Sequence, residues 1–144
     1  MSVIIDYGVG NLFSLTSSFK FIGQDVTVTS DKKKIAAADK LILPGVGAFS
    51  DAAKALKDTG MYDVVREEAA KGKPLLGICL GMQMLLTKSY EYGEHDGLDL
   101  IPGNVKPIAP IIGSELKVPH IGWNALIFPE DKPKSKLYIT IGKI

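Results

Sequence analysis

At 144 residues and 46% hydrophobic content, the chain is long enough for one domain with a sizeable core and too short for several. Seventeen basic residues against 16 acidic leave a net charge of +1, which offers no electrostatic footprint for nucleic acid or for an anionic membrane surface. A single cysteine excludes an internal disulfide framework, no stretch approaches the length of a membrane span, and Met1 leads straight into an apolar segment, so a reducing, cytoplasmic setting is the expectation.

The chain opens on Val3-Ile4-Ile5, a strand pattern, followed by the loop Asp6-Tyr7-Gly8-Val9-Gly10-Asn11 and a helical segment to about Ile22 that stops at Gly23. A dinucleotide fingerprint would require a third glycine where Phe13 stands, so a nucleotide site is rejected. A tight strand-to-helix turn, with Asn11 or Ser14 capping the helix, accounts for the same residues. Next come a strand over Asp25 to Thr29, a helix-prone stretch around Lys33 to Ala38, and the apolar strand Lys40-Leu41-Ile42-Leu43, with Lys32-Lys33-Lys34 read as a solvated face. That strand runs into Pro44-Gly45-Val46-Gly47-Ala48-Phe49, where two glycines free backbone amides to face an anion. The loop is a candidate oxyanion donor as well as an ordinary turn. Ser50 or Asp51 is expected to cap a helix through Thr59, stopped by Gly60. Another helix from Met61 to Lys71, with Met61, Val64, Val65 and Ala69 inward, stops at Gly72.

Pro74-Leu75-Leu76-Gly77-Ile78-Cys79-Leu80-Gly81-Met82-Gln83 is the most informative stretch. The apolar residues at 75, 76 and 78 suit a strand buried on both faces, and Met82, Leu85 and Leu86 continue at helical spacing. Cys79 then falls on the turn between them, with glycines two residues to either side. This is the pattern of a nucleophile elbow carrying sulfur in place of a serine oxygen. A buried cysteine serving as a small hydrophobe is the commoner fate of the residue; the flanking glycines favour the nucleophile. A helix N-terminus stabilises an anion by roughly 0.3–1 kcal/mol, less than the ~1.4 kcal/mol of a tenfold change in ionisation. The turn alone does not activate a thiol, and efficient chemistry needs a neighbouring base.

Alternating strands and helices from Val3 to Leu86 imply an α/β fold, a mostly parallel sheet with helices on both faces, whose loops at the carboxyl ends of the strands bring Gly8, Gly45 and Cys79 to one edge. Beyond Leu86 the pattern changes. Tyr90 to His95 reads as a polar loop, and Gly103 to Ile108 and Glu115 to Val118 as short strands.

Gly77-Ile78-Cys79-Leu80-Gly81-Met82-Gln83 together with Pro44-Gly45-Val46-Gly47-Ala48-Phe49 resembles the class I (triad) glutamine amidotransferases, of flavodoxin-like architecture. Asp6 to Asn11 with Ser14, Gly97-Leu98 through Asn104-Val105, and Pro119-His120-Ile121-Gly122-Trp123-Asn124 narrow the likeness to the glutaminase subunits of imidazole glycerol phosphate synthase. The resemblance runs from residue 1 to about Asn124. It implies that Cys79 attacks the side-chain amide of glutamine and forms a thioester, that the amides of Leu80 and of the loop at Val46 and Gly47 hold the oxyanion, and that Gly45 and Gln83 help to bind glutamine. It also implies a TIM-barrel cyclase partner that receives the ammonia, near Asn11 and Trp123. For Trp123, a core aromatic is an equal reading. Neither a metal nor a cofactor is implied.

The family's triad is completed by a histidine and a glutamate one residue apart, far downstream of the cysteine, and this sequence has no match to them. His95 lies in the polar loop and His120 belongs to the Pro-His-x-Gly-Trp-Asn motif. The segment Phe128 to Ile144 also departs from the family pattern. The expectation is a single amidotransferase domain, 1–144, truncated at its C-terminus and nearly inactive alone. A non-catalytic partner-binding subunit, an amidotransferase subunit of a sugar-modifying pathway and an unrelated cysteine hydrolase are the alternatives.

Overall fold

The computed structural model describes residues 1–125, 127–131 and 133. The chain resolves into two compact units, Met1–Pro107 and Ile108–Ile144. In the first, the strands β1 (Ser2–Ile5), β2 (Val26–Thr29), β3 (Lys40–Leu43) and β4 (Leu75–Gly77) form a four-stranded sheet in the order β2-β1-β3-β4. All its pairings are parallel, as the alternation of strands and helices predicts. The helices α1 (Leu12–Phe21), α2 (Lys32–Ala37), α3 (Phe49–Asp58) and α4 (Met61–Ala70) make the crossovers. The step from β1 to β2 runs opposite to the later steps, so right-handed crossovers put α1 on one face and α2, α3 and α4 on the other.

The core lies on the second of these faces. Val3, Ile5, Leu41 and Leu43 alternate out of the sheet into a cluster with Ile35, Phe49, Ala52, Leu56, Met61 and Val65. Ile4 and Ile42, on the opposite face, are buried as well. By contrast, α1 buries none of its residues, and Phe13 and Phe21 are 83% and 91% exposed. The capping predictions divide. Asn11 does cap α1, its Oδ1 accepting from Ser14 N–H at 3.0 Å. Neither Ser50 nor Asp51 caps α3, because the helix starts earlier, with Ala48 as its N-cap, and an alanine has no acceptor to offer.

Three further expectations are corrected. The strand expected to be buried on both faces is an outer strand among the described residues: β4 pairs with β3 alone, and Leu76 is 39% exposed. Leu86 is not helical. The helix α5 (Leu80–Met84) is short, and Leu86 begins β5 (Leu86–Ser89), which pairs with β6 (His95–Asp96) and β7 (Ile101–Val105) in a second small sheet. Gly97 permits this, since a Cβ there would lie 2.1 Å from the Leu86 carbonyl oxygen. His95 is therefore in a strand rather than at the end of a polar loop, and the strand expected over 103–108 begins at Ile101. In the second unit Glu115 to Val118 forms turns, not a strand. Pro119 follows that stretch directly and no described strand pairs with it. Residues 132 and 134–144 of the divergent tail lie outside the described residues.

One buried charge fastens the helical layer. Glu68 on α4 is buried and takes Lys71 Nζ at 2.6 Å and Lys73 Nζ at 2.6 Å. Lys73 also donates to the carbonyls of Ile35 at 2.9 Å and Ala36 at 2.7 Å, closing the C-terminal end of α2. The hydrogen bond from Lys71, then that from Lys73, holds the Glu68 carboxyl below its ordinary range. A depressed carboxyl contributes stability that is full above its unfolded value, about 4.3, and is lost as pH falls through the folded one. We expect Glu68→Gln to lower unfolding free energy by about 1.5–3 kcal/mol at neutral pH. Its denaturant midpoint should also decline less steeply than the parent's as acid is added.

Candidate functional site

The parallel sheet delivers its loops to one edge, and glycines let them close on each other there. After Gly77, Ile78 N–H donates to the Leu43 carbonyl at 3.0 Å, which carries the chain to Cys79 at the end of the sheet. Cys79 then adopts φ 55° and ψ −119°, a left-handed conformation strained for a residue with a Cβ, and α5 starts at Leu80. The elbow predicted from the spacing is present. Its thiol is exposed, which disposes of the buried-hydrophobe reading. The amides of Gly81 and Met82 turn back to the carbonyls of Ile78 and Cys79, both at 3.0 Å, and that of Leu80 is not among these donors.

The loop after β3 is seated directly on this turn. A Cβ on Gly45 would lie 2.5 Å from Gly81 N, one on Gly81 would lie 2.0 Å from the Leu43 carbonyl oxygen, and one on Gly77 would lie 2.6 Å from the Met82 Cα. Each contact is backbone against backbone, closer than any side chain allows. Pro44 and Gly45 are buried, whereas Val46 and Gly47 are exposed, Gly47 with φ +84°. The first loop joins from the other side: Gly10 rests on the Pro44 ring, and Tyr7 donates its hydroxyl to the Pro44 carbonyl at 2.6 Å. Burial pushes the Tyr7 hydroxyl up to about 12, so it remains a donor throughout the physiological range.

The structure thus seats Gly45 on Leu80 and Gly81, next to Cys79, while Val46 and Gly47 are exposed and Gln83 is half-buried on α5. Asn11 is exposed, its side chain occupied as the α1 cap. Trp123 is fully exposed in the second unit, where Asn124 Nδ2 lies 2.9 Å from His120 Nε2. His95 lines a groove together with Ser50, Lys54, Asp58 and Asp96, and Cys79 does not line it. Sequence reasoning missed Glu91, whose carboxylate Oε2 accepts from Phe49 N–H at 2.7 Å at the start of α3. No local pattern marks it, because the partners are 42 residues apart. Among the described residues no group of His, Cys, Asp and Glu could hold a metal ion, and no helix is long and apolar enough to cross a membrane.

Residues 5–109 match the family model of the CobB/CobQ-like glutamine amidotransferase domain. The chain is 50% identical over 129 residues to the imidazole glycerol phosphate synthase subunit HisH of Carboxydothermus hydrogenoformans, covering 88% of this chain and 62% of that protein. The HisH subunit of Sulfurimonas denitrificans is likewise 50% identical, over 90% of this chain and 63% of the relative, and that of Aquifex aeolicus 47% identical over 90% and 61%. The chain therefore spans about three-fifths of the length of these curated relatives. A crystal structure described as a glutamine amidotransferase superposes with a TM-score of 0.59 at 24% identity, over 69% of this chain and 52% of the other, which bears on the fold alone.

The glycine contacts make a direct test. Gly81→Ala and Gly77→Ala should each lower stability by about 1–3 kcal/mol or more, since a methyl group must displace backbone. Gly113→Ala, with nothing within 4 Å of its Cβ and no positive φ, should stay within about 0.5 kcal/mol. Chemical denaturation of the three variants checks this. Iodoacetamide should modify Cys79 in the folded protein without denaturant.

Proposed function

Because the chain belongs to the CobB/CobQ-like glutamine amidotransferase domain family, we propose that Cys79 is the nucleophile of a glutaminase that supplies ammonia for imidazole glycerol phosphate synthesis in histidine biosynthesis. The observation that supports this reading best is the backbone seating of Gly45 on Leu80 and Gly81, directly after the exposed Cys79. The names of the relatives support the pathway.

In the proposed reaction the Cys79 sulfur attacks the side-chain amide carbon of glutamine. The amide of Leu80 and one from Val46 or Gly47 take up the charge on the former carbonyl oxygen. Removal of one such donor costs about 2.7–4 kcal/mol of transition-state stabilisation, so backbone placement matters here as much as any side chain. Ammonia leaves as the C–N bond breaks, and water then cleaves the thioester to glutamate. Gly45 and Gln83 bind the substrate, and Asn11 and Trp123 contribute to contact with a TIM-barrel cyclase subunit that uses the ammonia. An exposed indole suits an interface anchor better than a core position.

The proton transfers are the weak part of the machinery. His95 lines a groove that Cys79 does not line, and general acid–base catalysis is worth about 10²–10⁴-fold. We expect the 144-residue chain to hydrolyse glutamine only marginally, even with a purified cyclase barrel. Fusion to a family-like C-terminal segment carrying the histidine and glutamate should restore turnover, and Cys79→Ala in the fusion should remove it. Ready hydrolysis by the unextended chain would sink this account of the base. Trp123→Ala should weaken binding to the barrel by about 2 kcal/mol or more, read by calorimetry on a variant shown to be folded.

A further inference from the structure

We propose that Tyr7 is a positioning residue for the proposed reaction: its hydroxyl sets the plane of the Pro44–Gly45 peptide and, through it, the course of the loop that carries the candidate amides at Val46 and Gly47. The consequence rests on the glutaminase reading; the contact does not. A trans peptide group is planar with its C=O and N–H pointing opposite ways, so whatever holds the Pro44 oxygen also aims the Gly45 amide. Pro44 brings a fixed φ, but Gly45 has no Cβ to limit its own. This peptide is therefore free to pivot unless a partner holds it. The partner is the Tyr7 hydroxyl, which donates to the Pro44 carbonyl at 2.6 Å, and among the described residues no other donor reaches that oxygen.

Tyr7 is itself held. It is buried in the core cluster that also contains Leu41, Leu43 and Phe49. Asp6 N–H donates to the Thr29 carbonyl at 3.0 Å, which extends the β1–β2 pairing to the residue before it, and Gly8 N–H returns to Asp6 Oδ1 at 3.1 Å. Ile4 lies opposite Ile42 in the parallel pairing of β1 with β3, so Tyr7 and Pro44 leave adjacent strands at the same end of the sheet. Packing around the held carbonyl is close. A Cβ on Gly10 would lie 2.8 Å from the Pro44 Cβ, and one on Gly81 would lie 2.9 Å from the Pro44 oxygen. The Tyr7 hydroxyl thus acts where the loops after β1 and β3 meet the first turn of α5. A phenylalanine in its place keeps the ring and leaves a buried carbonyl without a donor, which is costly. The peptide then gains by turning towards another partner, and Gly45 moves with it.

The test compares the full 144-residue chain with its Tyr7→Phe variant. Residual dipolar couplings of backbone N–H bonds read bond direction: those of Gly45 and Val46 should change in the variant, while those of β1 and β3 keep the parent's values. Cys79 is then alkylated by a chloroketone analogue of glutamine and, separately, by iodoacetamide. In both reactions sulfur forms a C–S bond as halide leaves, so the ratio of the two rates cancels thiol ionisation and exposure and retains recognition of the glutamine-like group. That ratio should fall about ten-fold or more in Tyr7→Phe, because a misplacement of about 1 Å costs on the order of 10²-fold. Unchanged couplings at Gly45 and Val46 overturn the proposal. Couplings altered throughout the sheet overturn it too, since Tyr7 would then be a packing residue, and so does an unchanged ratio beside altered couplings. Should Tyr7→Phe be unfolded in buffer, both proteins are measured in sucrose, which favours the folded state. A parent thiol with no preference for the glutamine analogue over iodoacetamide refutes the glutaminase reading instead, and the couplings still decide what Tyr7 holds.

Discussion

Three absent Cβ atoms hold the edge of the sheet together. Gly45, Gly77 and Gly81 allow the end of β3, the end of β4 and the first turn of α5 to meet backbone to backbone, at separations of 2.0 to 2.6 Å from the positions that Cβ atoms would occupy. Nothing on the side-chain level can substitute for such a contact. It makes the elbow short enough to present Cys79 at the end of the sheet, with Gly45 held against the first turn of α5.

How much of this was legible in the sequence follows from the range of each interaction. Val3 to Ile5, Lys40 to Leu43 and the crossover helices were readable because burial on both sheet faces demands apolar runs and turns demand glycine, both local signals. The elbow was readable for the same reason, its glycines lying within two residues of Cys79. What was misjudged depended on distant partners. Leu86 has the spacing of a helical residue, yet a strand is imposed by pairing with Ile101 and by the close approach of Gly97. Ser50 and Asp51 are good capping residues by type, yet the cap is Glu91, 42 positions on. Glu68 fell at a position that the apolar stripe of its helix passed over, and only the folded arrangement shows why a carboxylate is buried there: two lysines beyond the helix end reach it.

The polar ties around the site have a common pattern. Tyr7 to Pro44, Glu91 to Phe49 and Lys73 to the end of α2 each join a side chain to a backbone group of another element, over 37, 42 and 38 residues of sequence. Backbone acceptors and donors at loop ends and helix ends are the groups that regular secondary structure leaves unpaired. Each tie therefore satisfies an otherwise costly orphan and also pins a terminus. Apolar packing of Val3, Leu41 and Phe49 sets the distance between sheet and helices, and these bonds set where the loops begin and end.

That division explains what the elbow can and cannot supply. A non-glycine residue at φ 55° carries strain of order 1–3 kcal/mol, which persists only because the surrounding backbone contacts over-determine the turn. The strain sits at the sharp turn between β4 and α5, where Cys79 is exposed and the helix begins at the next residue. Proton transfer cannot be built in the same way. Backbone amides donate but do not shuttle protons near neutral pH, so in the proposed reaction that task belongs to a titratable side chain, and His95 lines a groove that Cys79 does not line. In the proposed reaction amide donors and proton carrier are thus physically separable parts of the chemistry, and Cys79, Leu80 and the Gly45 loop all lie in the unit Met1–Pro107.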